Sequence, residues 1–347
     1  MGTAASNAPS SNDDSSADAV ASGDDALSIA GALDGQRIAV TGGTGFLGTA
    51  LIERLLRSAP GCELVLLIRP GQRRSVPQRA KREIFKNNAF DRLRGELEAA
   101  GGETFDEMIE RRVMPIAGDV GRDGLRLDDE GRALLATCHT VIHSAATVSF
   151  DSPLDAAVEV NMLGPSRIAA TLAELDVRPH LVAVSTCYVA GNRKGAAPEE
   201  PVDASPFWFG VDWRDEVTAA RRSRADAEAQ SRHPERLTEF RTQARAELGA
   251  AGTPLLAAKT EQYRIKWVSD QMVEAGRARA GSLGWPDAYA YTKALGEKAL
   301  FEQTQHGSPD DLPVSIVRPA IIESSLEEPF PGWIRGFRMA EPVIISY

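Results

Sequence analysis

From residue 37 onward, short apolar segments alternate with stretches of helical periodicity, and a glycine-rich turn joins the first segment to the first helix. The alternation is interrupted once, by about ninety residues rich in Arg, Glu and Ala with no strand pattern. Together these observations predict an α/β fold: a Rossmann-type doubly wound parallel sheet with a large helical insertion, about 195–286, ahead of the helix that carries Tyr289 and Lys293. A chain of 347 residues that is 43% apolar has ample material for the core of such a domain.

Residues 1–33 are dominated by Ser, Ala, Asp and Gly and contain no Lys or Arg. That composition cannot offset its ordering entropy, so a disordered tail is expected. Its opening Met-Gly-Thr-Ala-Ala-Ser fits an N-myristoylation pattern, but no polybasic second anchor follows, which favours a chance match. The domain proper is expected over 34–347. Its first strand is Arg37–Thr41, followed by a helix over 46–57 and a second strand over 64–68. A charged helix over 81–100, strands at Val113–Ala117 and Thr140–His143, and a helix over 154–175 leading to a strand at 181–185 continue the βαβ series. Between 207 and 285 the charges nearly balance, 13 basic against 11 acidic, and Pro and Gly are sparse, so the insertion reads as helical and not as a linker. A helix over 290–303 and a strand at Val314–Val317 complete the pattern.

Charge and composition exclude several classes. A formal net charge of −10 opposes general nucleic-acid binding, which needs clustered positive potential. No apolar stretch approaches the ~18 residues of a membrane span and no basic-then-apolar leader opens the chain, so no transmembrane segment is expected, while peripheral membrane contact stays open. Cys62, Cys138 and Cys187 lie far apart without C-x-x-C pairing, which argues against disulfides or a zinc site and for a reducing, cytoplasmic location. No metal site is proposed.

The segment Thr41-Gly-Gly-Thr-Gly-Phe-Leu-Gly48 places glycines at 42, 45 and 48 between the first strand and the first helix. Glycines there allow a tight turn and let backbone N–H groups meet a pyrophosphate, so Gly42, Thr44, Gly45, Phe46, Leu47 and Gly48 are candidate dinucleotide contacts. An NAD enzyme would close the second strand with an acidic residue, whereas this chain has Arg69 there, with Arg73, Arg74 and Arg79 behind it. Guanidinium groups suit a 2′-phosphate, so NADPH is the expected cofactor. Asp119 and Val120 after the third strand, Ala145 in the small-residue run after the fourth, and Pro319 after the last are further candidates at the carboxyl edge. His143 reads as a structural histidine.

Lysine is scarce, seven of 39 basic residues, so one at a motif position stands out. Tyr289 and Lys293 in Pro286-Asp-Ala-Tyr-Ala-Tyr-Thr-Lys293 are four residues apart and share a helix face, whereas Tyr291 points away. A nearby ammonium would depress the phenol pKa and make Tyr289 a usable proton donor. The third hydroxyl is expected at the end of the fifth strand: Thr186, with Ser185 as the alternative.

The order of glycine turn, V-S-T and Y-x-x-x-K resembles the extended short-chain dehydrogenase/reductases. More narrowly, W-P-D-A-Y-A-Y-T-K-A-L-G-E, the stretch R-P-A-I-I-E-S-S-L-E-E-P-F-P-G-W and the long insertion resemble fatty acyl-CoA reductases, relatives of the thioester-reductase domains of carboxylic acid reductases. The resemblance implies NADPH-dependent reduction of a long-chain fatty acyl-CoA to fatty aldehyde or alcohol, with Thr186, Tyr289 and Lys293 as catalytic residues. It also implies a reductase domain that continues past P-F-P-G-W, so the substrate part is expected to be incomplete, leaving apolar residues such as Ile334, Phe337, Met339 and 343–345 without packing partners. Phe207, Trp208, Phe209, Trp213, Phe330 and Trp333 are candidates for an acyl channel or for plain core packing, and Arg221, Arg222 and Arg224 for CoA phosphates or a solvated face. Two other readings are a sugar-nucleotide epimerase or dehydratase, whose substrate part would follow the catalytic helix, and a non-enzymatic NADP-binding regulator, which would be expected to lack Tyr289 or Lys293.

Overall fold

In the computed structural model, which describes residues 28–335 apart from 207, 209, 309 and 310, six parallel strands form one sheet in the order 3-2-1-4-5-6. They are β1 (Arg37–Thr41), β2 (Glu63–Ile68), β3 (Val113–Ala117), β4 (Thr140–His143), β5 (His180–Val184) and β6 (Val314–Val317). Strands β1 and β2 are apolar almost throughout because both faces of the sheet are covered. Their side chains alternate between two cores: Ile38, Val40, Leu64 and Leu66 pack on one face with Ile52 and Leu56, and Ala39, Val65 and Leu67 on the other with Ile168 and Leu172. The strand order turns back between β1 and β4, where Thr41 pairs with His143, and this is where an open α/β sheet binds ligands.

Around the sheet lie α1 (Ile29–Ala32), α2 (Phe46–Ser58), α3 (Val76–Arg79), α4 (Asp91–Ala100), α5 (Phe105–Arg112), α6 (Asp129–Ala136), α7 (Leu154–Ala157) and α8 (Leu163–Glu174). The insertion folds as α9 (Trp213–Ser231), α10 (Pro234–Leu248) and α11 (Leu256–Ser282), and α12 (Ala288–Thr304) follows. A third apolar cluster, built from Trp213, Val217, Val268 and Met272, closes against Tyr291 and Leu295 of α12. The insertion is therefore a buttress for the helix that carries Tyr289 and Lys293. Among the described residues no helix is long and apolar enough to cross a membrane.

Several elements differ from the sequence expectation, among them α6 between β3 and β4, where no helix was expected. The stretch 81–100 is two helical pieces: α3 runs into a π-helical turn, Ala80–Phe85, and the chain then breaks before α4. Asn87, in extended backbone, caps the Ala89 N–H at 2.9 Å, and the break lets Phe85 and Phe90 meet edge to face at 5.5 Å in the core. Helix α5 was hidden by its charges, since only Met108 and Arg112 of its residues are buried, and a Thr104/Glu107 capping box starts it. Helix α1 is one turn inside the stretch expected to be disordered, with Leu33 packed on the core; residues 1–27 lie outside the described residues.

Helix α12 approaches the π-helical turn Val158–Met162 so closely that a Cβ on Gly296 would stand 2.6 Å from the Asn161 carbonyl oxygen. Gly296→Ala should therefore cost about 1–3 kcal/mol of stability, read by urea unfolding. An unchanged midpoint would show that the two elements separate without cost.

Candidate active site

The glycine turn is shaped by backbone contacts. Gly42 has φ +78°, and a Cβ on it would lie 2.6 Å from the Ala145 nitrogen; one on Gly48 would lie 2.3 Å from the Gly42 carbonyl oxygen. Gly45 caps α2 without a side chain and is exposed, so the helix presents its first N–H groups at the carboxyl edge of the sheet beside Thr44, Phe46 and Leu47. Thr41 Oγ1 accepts the Ala145 N–H at 3.2 Å and bonds His143 Nδ1 at 2.8 Å, tying β1 to β4. Burial, reinforced by the Lys293 charge, pushes His143 down to about 3, so it is neutral and structural, as read from the sequence.

After β2, a cavity of about 480 Å³ is lined by Arg69, Gln72, Arg73, Arg74, Arg79 and Glu83 among others. Arg69, Arg73 and Arg74 are exposed, but Arg79 is not a free cation: it grips Glu83 at 2.9 and 2.6 Å and donates to the Arg69 carbonyl. Its bond holds the Glu83 carboxyl below the usual range, and Arg79 thus shapes the loop instead of projecting from it. Asp119 closes a turn by accepting the Gly121 N–H at 2.9 Å, while the Val120 side chain is buried in the core. The Pro319 carbonyl accepts the Cys187 N–H at 3.0 Å, joining the loop after β6 to that after β5.

Thr186, Tyr289 and Lys293 converge at the end of β5. Thr186 starts a 3₁₀ turn, accepting the Tyr188 N–H at 3.3 Å, and its side chain is near enough to the Tyr289 phenol to act on its pKa. Ser185 Oγ is buried without a partner, and of the two hydroxyls Thr186 is the one that acts on the Tyr289 phenol. Phe150 packs edge-on to the Tyr289 ring at 6.2 Å. Lys293 Nζ donates to the Val184 carbonyl at 2.7 Å. Tyr291 is directed away, into the third core, where its hydroxyl donates to Glu216, itself paired with Arg279.

The expected electrostatic coupling is not what the structure contains. Burial raises the Tyr289 pKa, the neighbouring Thr186 side chain opposes that rise, and the Lys293 ammonium is not among the groups that shift it. The lysine is committed to the Val184 carbonyl, and its own pKa is pushed down to about 8 by burial, against the pull of Glu297. Tyr289 is therefore a neutral phenol at ordinary pH, suited to donating a proton.

The aromatic residues proposed for an acyl channel are core residues where they are described. Trp213 and Trp208 pack in the third cluster, and Trp333 and Phe330 pack beside α2, because a large ring without an aqueous face is most stable there. Phe207, Phe209, Phe337, Met339 and 343–345 lie outside the described residues. Arg221 and Arg224 are ion-paired to Glu159 and Asp155, tying α9 to the sheet layer, while Arg222 is exposed. Asn161 was missed by sequence reasoning: fully buried, its amide brackets both backbone groups of Thr147 at 2.8 and 3.0 Å and reaches Thr292 at 3.4 Å, fixing the loop after β4 to α12. A polar residue on the buried side of an apolar helical run was the available signal.

The buried lysine carries a pH signature. Its folded-state pKa of about 8 lies below the ordinary 10.5, so the folded protein binds fewer protons across that window and this group's contribution to stability rises with pH there. Below pH 8 both states are protonated and the burial penalty is constant. Lys293→Met should therefore be more stable than the unmutated protein at pH 7, by on the order of 3 kcal/mol, with the gap narrowing by pH 10 in urea unfolding. A gap independent of pH would contradict the buried ammonium.

Residues 40–347 match the family described as male sterility protein, a family of NAD-binding domains. Fatty acyl-CoA reductase 8 of Arabidopsis thaliana is 31% identical over 318 residues, covering 91% of this chain and 57% of that protein. The alcohol-forming fatty acyl-CoA reductase of Simmondsia chinensis is 30% identical, with 91% and 57% covered. Among solved structures, the terminal R domain of the myxalamid PKS-NRPS pathway is similar at 20% identity with a TM-score of 0.45, over 83% of this chain and 50% of that one. The chain spans a little over half the length of these plant relatives. With the glycine turn, the parallel sheet and the family match in agreement, the chain belongs to the male sterility protein family of NAD-binding domains.

Proposed function

We propose that the chain carries the cofactor-binding and catalytic part of an NADPH-dependent reductase of long-chain fatty acyl-CoA thioesters, forming fatty aldehyde and, by a second reduction, fatty alcohol. The observation that carries this reading is the hydroxyl pair Thr186–Tyr289, with Lys293 one helical turn on, at the carboxyl edge of the sheet beside the glycine turn. The fatty acyl-CoA reductases among its relatives supply the substrate class.

The residues present fit a dinucleotide. Gly42 and Gly48 leave no room for a Cβ, the α2 N-terminus is uncapped by any side chain, and Arg69, Arg73 and Arg74 offer guanidinium groups where a 2′-phosphate would be recognised. Bound NADPH would supply the hydride. Thr186 and Tyr289 would hold the thioester carbonyl oxygen by hydrogen bonds that strengthen as negative charge develops on it. Tyr289, kept neutral by burial, would give that oxygen its proton, yielding a thiohemiacetal. Breaking its C–S bond releases the CoA thiol and the aldehyde. Lys293 would hold the nicotinamide ribose, and Asn161 would keep the loop after β4 in place.

Four outcomes test the reading. NADPH should be consumed only when a long-chain acyl-CoA is present, with aldehyde or alcohol identified by gas chromatography; consumption indifferent to acyl-CoA would end it. Tyr289→Phe should cut kcat by ~100-fold or more with NADPH affinity nearly unchanged. Tyr291→Phe should lose about 1–3 kcal/mol of stability, leaving the Glu216 carboxylate one buried partner short, and keep its turnover. Equal kinetic losses in the two tyrosine variants would reject the assignment. Finally, Arg69→Ala should erase most of the preference for NADPH over NADH; equal affinities before mutation would reject the 2′-phosphate site.

A further inference from the structure

The segment 328–335 packs along α2 and reaches the glycine turn, although almost 290 residues separate the two in sequence. Glu328 gathers Arg54 at 2.5 Å, Arg57, and Arg92 at 3.5 Å. Trp333 stacks on Phe46, the first residue of α2, with centroids 4.7 Å apart and planes 23° apart, and its indole N–H is shared between the side-chain oxygens of Asn87 and Asn88. This strap delivers Arg335 to a cavity of about 390 Å³ lined by Thr44, Arg82, Glu83, Lys86, Asn87 and Arg335.

The charge balance of that cavity is uneven. Three cations face one carboxylate, Glu83, and both oxygens of that carboxylate are already taken by Arg79. The Arg335 guanidinium bonds neutral acceptors: the Gly45 carbonyl at 3.4 Å, the Thr49 hydroxyl and the Glu83 carbonyl. Burial lowers its pKa from the ordinary arginine value, with the Glu83 carboxylate as the opposing charge. Arg82 and Lys86 are exposed, and neither has an ion pair among the described residues. A cavity with surplus cations beside the N-terminus of α2 favours an anion, and planar guanidinium groups favour phosphate.

We propose that Arg335, with Arg82 and Lys86, forms a phosphate-binding subsite for the dinucleotide, so that the strap 328–335 completes the cofactor site from the far end of the described chain. The inference rests on the cofactor part of the proposed function. Glu83 lines both this cavity and the one at Arg69, so the two are neighbours along one edge. The ligand chemistry is a phosphate ester or anhydride, either the pyrophosphate common to both nicotinamide cofactors or the 2′-phosphate found only on NADPH.

Calorimetric titration of NADPH and NADH into the unmutated protein and into Arg335→Met, each at low and at moderate salt, tests it. Loss of one desolvated charge–phosphate contact should weaken NADPH at least tenfold and flatten the salt dependence of its affinity. A parallel loss for NADH assigns the pyrophosphate; an unchanged NADH affinity assigns the 2′-phosphate. Unchanged NADPH affinity, or a loss with the salt dependence intact, overturns the subsite and leaves Arg335 as a packing residue. Should Arg335→Met unfold, the double variant Arg82→Ala/Lys86→Ala, both exposed, carries the same measurement: weakened NADPH with a flatter salt dependence supports the subsite, and unchanged affinity overturns it. If the unmutated protein bound neither nucleotide, the cofactor reading would fail with it; binding that is indifferent to these variants would remove this inference alone.

Discussion

The candidate site depends on one close approach: the backbone of Gly42 pressed against the peptide joining Ser144 to Ala145. No side chain fits between them, since a Cβ on Gly42 would come within 2.6 Å of that peptide. The contact sets the angle at which the chain leaves β1, and hence where α2 points its N–H groups. Thr41 and His143 reinforce it from below, with the threonine hydroxyl serving both the His143 ring and the Ala145 N–H. Glycine, threonine and neutral histidine thus act as one backbone-shaping unit.

A second layer of constraint fixes α12, the helix with Tyr289 and Lys293. On one side, Gly296 lets it lie against the π-helical turn that carries Asn161. On another, Tyr291 is anchored to Glu216 and through it to Arg279 of α11. Near its middle, Glu297 clamps Arg318, whose side chain also reaches the Glu200 carbonyl. Asn161, Tyr291, Glu216 and Glu297 are polar or charged and buried, where a lost partner is costly. Precise placement of the Tyr289 hydroxyl is the structural return on that arrangement, because a proton donor misplaced by an ångström contributes little.

Burial then sets the protonation states. It keeps His143 neutral, holds the Tyr289 phenol protonated and draws Lys293 down to about 8. Each shift disfavours the charged form, as desolvation must. The lysine remains a cation at neutral pH, although burial makes it easier to discharge than an exposed lysine. On the proposed reading, such a site would supply a proton from tyrosine and a localised positive charge from lysine, on separate groups.

By itself, the sequence determined the alternation of strands and helices, the parallel sheet, the glycine turn and the departure of Tyr291 from the face of Tyr289, because period, spacing and missing Cβ atoms are local properties of the chain. Helices α5 and α6 and the break before α4 escaped it, since side-chain caps and an Asn87 turn in charged stretches give no periodic signal. Only tertiary structure decided that Arg79 is spent on Glu83, that Trp213 and Trp333 are core residues, that Lys293 bonds the Val184 carbonyl, and that Arg335 reaches the glycine turn. These outcomes depend on partners tens to hundreds of residues away or on desolvation by the whole fold, and neither a spacing nor a composition encodes the distance between two groups that the chain brings together only when it is folded.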